Sequence, residues 1–373
     1  VIHGEFLRLL LQHRLGLIEA TGRHDLGDLE LLRERIEFHG IAGIVADGRV
    51  LPVPLEAQLH SAPRITAMRN LAARAQLLPI AEALNQAAIP FLVLKGLALV
   101  HGLYPDTGMR SAGDIDLLVR RADAMRAHDL LLALGYRAEK TPRGIPMGDE
   151  AVSDDYECTY THPQLVEVDL HWEIAHPMLG FRASFDAMYE DHVTLLDGLL
   201  PAPSLANHLW YLCVHGSRHL WCRWIWLYDV AVALQQMTEA DHRKLEEAIR
   251  TRGNAAFIRD GLSLVRHMLM RGPRRKTLLG EFAETFLLRT HKRPSNNFDY
   301  AICHLRMVDS WRARFVCLRQ LLTGILEARA LVFRPTPDER RRIPIPRPLD
   351  FLWYALRPCL LLGRALRKLI GSV

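Results

Sequence analysis

Asp114-Ile115-Asp116-Leu117-Leu118-Val119 constrains this chain more than any other stretch. Two acids separated by one apolar residue, running into Leu-Leu-Val, predict a β-strand with both carboxylates on one face. Strand side chains alternate, so residues two apart point the same way, roughly 6–7 Å apart along the strand. Like charges so placed repel unless something positive sits between them. A divalent cation is the usual partner, and Mg²⁺ is typically held by one or two carboxylates plus substrate phosphates.

A second segment alternates just as strictly. In Leu165-Val166-Glu167-Val168-Asp169-Leu170-His171-Trp172, the residues Val166, Val168, Leu170 and Trp172 fall on one face. Glu167, Asp169 and His171 fall on the other. If the two strands are neighbours, Asp169 becomes a third carboxylate facing Asp114 and Asp116. Three acids can hold two metal ions about 3.5–4 Å apart, an arrangement suited to phosphoryl or nucleotidyl transfer. An isolated Asp-x-Asp is more often a solvated strand face; the second acid-bearing strand and the element described next favour chemistry.

That element is Phe91-Leu92-Val93-Leu94, a short apolar run after Pro90, which ends at Lys95-Gly96 and continues into Leu97-Ala98-Leu99-Val100. Gly96 permits a sharp turn. A strand-turn-helix of this kind leaves backbone N–H groups free at the helix start, where phosphate binds well. Lys95 adds a point charge for a triphosphate.

Leu94-Lys95-Gly96, Tyr104-Pro105-Asp106, Arg110 and Gly113-Asp114-Ile115-Asp116-Leu117-Leu118-Val119 occur in that order. Gly135-Tyr136, Glu167 to Trp172, and His215-Gly216-Ser217-Arg218-His219 with Trp224 and Asp229 follow. Together these motifs, spanning roughly residues 65–235, resemble the bacterial uncharacterised nucleotidyltransferase family of the polymerase-beta-like superfamily. The resemblance implies that Asp114 and Asp116 bind metal, that Asp169 is the acid that deprotonates or orients the acceptor, and that Lys95 and Arg110 contact phosphates. Much of the superfamily carries Gly-Ser before its acidic pair, where this chain has Lys95-Gly96. Ser111 is therefore a second candidate for holding the triphosphate.

The expected fold class is α+β: a small mixed β-sheet core flanked by N- and C-terminal helical regions. Four segments are expected: a helical region over 1–87, the α/β core over 88–200, a helical domain over 201–333, and a Pro/Arg linker with a terminal amphipathic helix over 334–373. Within them, Glu5 to Ala20 and Ile65 to Ala87 read as helices, the second disturbed at Pro79. Gly40 to Pro54 reads as loop. A helix over Ala122–Leu134 should stop at Gly135, and Lys140–Asp155 reads as a mobile loop over the site.

Ser204 is placed as the N-cap of a helix over Leu205–Gly216. His208, His215 and His219 are spaced by seven and four, near one helix face if the helix is continuous. They offer either a metal site or polar packing against the sheet, with His215 or His219 lining the nucleotide or acceptor site. The packing reading is favoured. The aromatic run Leu220 to Tyr228 reads as core, with one indole available to stack on a base. Arg340-Arg341-Arg342 and the nearby prolines mark the linker. Leu349–Ile370 reads as a helix closing onto the body or, less favoured, resting on a membrane surface.

Composition narrows the field little. Hydrophobic residues make up 49% and charged residues 24% of 373, which are ordinary globular values. The net charge of +5 is spread over 47 basic and 42 acidic residues, and no nucleic-acid-reading pattern stands out, so nucleic acid is not favoured. Cys158, Cys213, Cys222, Cys303, Cys317 and Cys359 lack metal-knuckle spacing and read as reduced thiols in the cytoplasm. No signal peptide is evident, and no uncharged apolar run reaches the ~20 residues of a membrane span.

The expected activity is therefore a Mg²⁺- or Mn²⁺-dependent transfer of a nucleoside monophosphate from an NTP to a hydroxyl or phosphate, releasing pyrophosphate. The acceptor is a small molecule or peptide that the sequence does not identify; the resemblance points towards natural-product biosynthesis. Two alternatives are an NTP-binding module without turnover and a hydrolase using the histidine cluster.

Overall fold

The alternating segments do fold as strands, and they join one sheet. The computed structural model describes residues 2–19, 26–46, 51–139, 141–142, 144–176, 179, 181, 183–273 and 277–289, with isolated positions between 314 and 356. The chain divides into two compact units, Val1–Ala313 and Arg314–Val373, and every element named below belongs to the first. The linker and terminal helix expected over 334–373 lie outside the described residues, isolated positions apart.

Five helices come first: α1 (Ile2–Arg14), α2 (Leu29–Phe38), α3 (Ala42–Val45), α4 (Val53–Leu59) and α5 (Ala62–Gln86). The central part runs β1 (Phe91–Val93), α6 (Lys95–Gly102), β2 (Ile115–Val119), α7 (Ala124–Ala133), β3 (Arg137–Ala138) and α8 (Asp149–Asp154). It continues with β4 (Glu157–His162), β5 (Leu165–His171), α9 (Phe185–Tyr189), β6 (Val193–Leu195) and β7 (Leu200–Ala202). Helices α10 (Leu205–Arg218), α11 (Trp224–Gln236), α12 (Glu239–Thr251), α13 (Ala255–Leu269) and α14 (Leu278–Arg289) follow. The α+β class is as expected: a five-stranded mixed sheet in the order β1-β2-β5-β4-β3, flanked by helices.

Only the β2–β5 pair is parallel; the other neighbours are antiparallel. Alternation then sorts the side chains. Ile115, Leu117, Val119, Val168 and Leu170 enter a core with Leu77, Ile80 and Leu84 of α5 and Ala127 and Leu131 of α7. Fully burying one such aliphatic side chain contributes about 1.5–3 kcal/mol. The opposite face is left to Asp116, Asp169 and His171.

Several local expectations change. Helix α5 runs through Pro79 unbroken; proline removes one N–H, and the buried Leu77, Ile80 and Leu84 on either side hold the helix to the sheet. Gly40 to Pro54 contains α3 and the start of α4, where Pro54 occupies the first turn, a position proline tolerates. Helix α1 ends at Arg14, short of the expected Ala20. Residues Lys140–Asp155 include α8, and none of their described residues lines the cavity considered below. Gly135 does stop α7: with φ 89° it lets Tyr136 N–H reach the Leu131 carbonyl at 3.1 Å. Ser204 occupies the N-cap position of α10, but its hydroxyl makes no capping bond. Cys158, Cys213 and Cys222 are buried thiols. Among the described residues no helix is long and apolar enough to cross a membrane.

Candidate active site

Parallel pairing of β2 with β5 sets Asp116 directly opposite Asp169. Antiparallel pairing of β4 with β5 sets Glu157 opposite His171 and Thr159 opposite Asp169. Three strands thereby bring four ionisable side chains to one face. A cavity of about 900 Å³ opens over them.

Lys95 completes the cluster. Gly96 adopts φ 48°, ψ −114°, and a Cβ built there would lie 3.2 Å from the Asp114 carbonyl oxygen. Glycine is thus required by both conformation and space. The turn sends Lys95 between the two acids of the Asp-x-Asp motif: its Nζ lies 3.0 Å from Asp114 Oδ2 and 2.9 Å from Asp116 Oδ1. The positive charge that the acid spacing demands is here an ammonium group. Gly96 itself is buried and outside the cavity lining, and the turn it permits places Lys95.

Asp116 is the hub. Its side chain is 1% exposed, and Oδ1 also lies 3.2 Å from His171 Nε2. Oδ2 is buried with no hydrogen-bond partner. His171 Nδ1 lies 3.0 Å from Glu157 Oε2, an ion-pair contact whose angle is not that of a hydrogen bond. Thr159 Oγ1 donates to Asp169 Oδ1 at 2.6 Å.

Charge in this cluster survives burial because opposite charges lie close. Burial alone would lower Lys95, but Asp116 and Asp114 hold it well above its ordinary range. Burial would raise Asp116, and Lys95 with His171 keeps it below the usual carboxylate value. His171 is likewise pushed down by burial and lifted to about 9 by Glu157 and Asp116. Glu157, despite burial, falls to about 2 beside His171. Asp169 differs: burial and the nearby Asp116 carboxylate raise it to about 6.

The helical wall has another character. His215 and His219 line the cavity with Trp226. Their rings lie 4.7 Å apart, and each lies 5.3 Å from the indole. Trp226 is partly exposed, while Trp221 and Trp224 are fully buried. The aromatic run is therefore mostly core, with one indole facing the cavity. Burial, His219 and Lys95 push His215 well below its ordinary pKa.

Arg110 lines the cavity and is at the same time tied to the framework. Its guanidinium donates to Asp229 on α11 (Nη2 to Oδ2, 3.1 Å) and to the Ser111 carbonyl (2.8 Å). Tyr104 donates to the same Asp229 at 2.6 Å. This buried triad ties the loop before β2 to α11 at the cavity wall. Ser111 and Asp114 line the cavity.

Asp116, Asp169 and His171 each offer a ligand atom within 4.8 Å of the others. Among the described residues no comparable metal-holding group includes His208, His215 or His219, so the histidine-cluster hydrolase lacks a donor set there. His171 and Glu157 are the site residues the sequence reading left unassigned. His171 was visible two residues from Asp169 on the same strand face; Glu157 depends on a strand pairing.

The buried, unpartnered Asp116 Oδ2 beside a second carboxylate and an imidazole fits a divalent cation. A search of curated proteins returns no match. The model of the family described as uncharacterised nucleotidyltransferase matches residues 25–270, and the chain belongs to that family.

Proposed function

We propose that this protein is a divalent-cation-dependent nucleotidyltransferase that moves a nucleoside monophosphate from an NTP to a hydroxyl or phosphate of a small-molecule or peptide acceptor, releasing pyrophosphate. One observation carries the reading: Asp116 and Asp169 stand opposite each other on parallel strands, beside Asp114 and Lys95, at the floor of a cavity of about 900 Å³.

Asp114, Asp116 and Asp169 are the carboxylates that would hold Mg²⁺ or Mn²⁺. When bound, such a cation supplies Lewis-acid charge at phosphate oxygens and makes a hydroxyl a better nucleophile. The chain's own groups account for the rest. Lys95 supplies fixed positive charge where phosphate charge accumulates, and its burial strengthens that interaction. Asp169, opposite Asp116, is placed to orient the acceptor and take its proton; Thr159 fixes one of its oxygens. Ser111 lines the same cavity and would hold the triphosphate with Lys95. Trp226, backed by His219 and with His215 beside it, offers an aromatic face for the nucleobase. Arg110 positions the loop that carries Asp114.

Calorimetric binding of the four NTPs with and without a divalent cation, on wild type and on Asp114→Asn/Asp116→Asn, tests the site. Cation-dependent binding lost in the double variant is the expected result. Full pyrophosphate release by a folded Asp116→Asn variant would overturn the mechanism. Binding with no turnover against any acceptor would leave an NTP-binding module.

A further inference from the structure

The donor set around Asp116 contains a nitrogen. We infer that His171, oriented by Glu157, is a cation ligand alongside Asp116 and Asp169, and that the site therefore favours first-row transition cations, Mn²⁺ among them, over Mg²⁺. This deepens the transferase reading and rests on it for the cation's purpose, while the ligand set rests on its own geometry.

Three placements support it. Asp169 and His171 are two apart on β5, so they share a face, and β2 delivers Asp116 opposite Asp169. The three ligand atoms lie within 4.8 Å of one another. Ligands of one octahedral ion at about 2.1 Å lie about 3–4 Å apart, so the group closes on an ion with shifts of about an ångström. Asp116 Oδ2, buried and without a hydrogen-bond partner, is a donor with nothing to bind within the protein.

The ring of His171 is also held as ligating imidazoles are held. Such a ring characteristically presents one nitrogen to the metal while a carboxylate, carbonyl or water fixes the other. Here Nε2 faces Asp116 at 3.2 Å and Nδ1 lies 3.0 Å from Glu157 in an ion-pair contact; a cation would take Nε2 in place of its proton and leave the Nδ1 proton towards Glu157. Glu157 also lines the cavity, and it acts here through His171 as a positioning residue. The competing account is a purely structural ion pair between His171 and its two acids; it leaves the bare Oδ2 unexplained.

Donor chemistry sets the metal preference. Mg²⁺ is hard, demands oxygen ligands and dehydrates reluctantly. Imidazole suits transition cations, and affinity for nitrogen-containing sites rises along the first row from Mn²⁺. Replacing one carboxylate or water by imidazole therefore costs Mg²⁺ more than Mn²⁺.

Pulsed electron paramagnetic resonance on Mn²⁺ added to the full-length protein reads the inference directly. Wild type should show ¹⁴N coupling from a directly bound imidazole, and His171→Asn should lose it. In parallel calorimetry, His171→Asn should weaken Mn²⁺ binding by about tenfold or more and Mg²⁺ binding much less. Glu157→Gln should keep a nitrogen signal of altered strength and weaken Mn²⁺ by about ten- to a hundredfold. A wild-type Mn²⁺ spectrum without nitrogen coupling overturns the inference and needs no variant to fold. Equal losses of Mg²⁺ and Mn²⁺ affinity in folded His171→Asn also overturn it, because a structural role predicts that. The outcomes separate from the transferase reading: nitrogen coupling without pyrophosphate release sinks only the reaction, and release with an all-oxygen Mn²⁺ spectrum sinks only the ligand.

Discussion

Two regions of this molecule bury histidine and do opposite things to it. On the sheet, His171 is lifted to about 9 against its burial by Glu157 and Asp116. On α10, His208 is driven to about 3 by burial and by Arg110, and His215 falls well below its ordinary value. Desolvation acts alike on all three; the neighbours decide the sign. Strand alternation concentrates acids on one sheet face, whereas the α10 histidines are buried near cations: Arg110 for His208, and His219, Lys95 and Arg218 for His215. The sheet side is therefore where charge is kept for chemistry. The α10 histidines are held neutral and offer rings, while Arg218 at the end of the same helix brings a charge to the cavity.

The sharpest way to break that division is to remove one carboxylate from each kind of buried pair. Asp116→Asn should cut pyrophosphate release by about a thousandfold or more, about 4 kcal/mol in transition-state stabilisation. It should still fold, because Lys95 keeps Asp114 and His171 keeps Glu157. Asp229→Ala should do the reverse. It strands Arg110 and the Tyr104 hydroxyl in a buried setting, and breaking such a pair from one side costs about 3–5 kcal/mol. Urea denaturation and pyrophosphate assays on both variants check the contrast. Loss of stability in Asp116→Asn as large as in Asp229→Ala would mean that the sheet cluster is framework too.

The reach of sequence reasoning follows the same division. Period-two alternation made Asp116, Asp169 and the apolar faces of β2 and β5 legible, because it is a local property of each strand. That β2 and β5 are parallel neighbours depends on pairing across some fifty residues, which no local pattern encodes. Glu157 shows a subtler obstacle. Only Pro163 and Gln164 separate β4 from β5, so counting back from the turn is tempting. The register shifts between Tyr160 and His162, however. Counting without that irregularity pairs Glu157 with Leu170, on the core face; a one-residue slip reverses every side chain. The Arg110–Asp229 pair, 119 residues apart, is hidden for the same reason. The proline-containing stretch before α5 was read as loop because the placement of Pro52 and Pro54 at a helix start depends on where Val53–Leu59 packs.

Acid titration probes the neutral histidines. The unfolded chain protonates His208 near pH 6.5, while the folded protein refuses the proton until about 3. The unfolded state therefore binds more protons between those values, and stability falls as pH drops through 6.5. The limiting slope for one such group is about 1.4 kcal/mol per pH unit. His208→Phe removes that share. Urea melts at pH 7, 6 and 5 should show a shallower decline for the variant than for wild type, and parallel declines would mean that His208 is not held neutral.

Trp226 carries the smallest effect and the finest distinction, because it tests what the aromatic wall is for. If its indole receives a nucleobase, Trp226→Ala should weaken NTP binding by about 0.5–1.5 kcal/mol, a few-fold to tenfold in Kd. The loss should be similar for all four bases, since each presents a π face. Inorganic triphosphate, which has no base, should bind wild type and variant equally. A matching loss for triphosphate would mean that the aromatic wall acts on the charged side by holding its shape. Unchanged binding of both ligands, with a raised KM for acceptor in a turnover assay, would hand the indole to the second substrate and put the nucleobase against the N-terminal helices, where Ile65 and Thr66 of α5 line the same cavity.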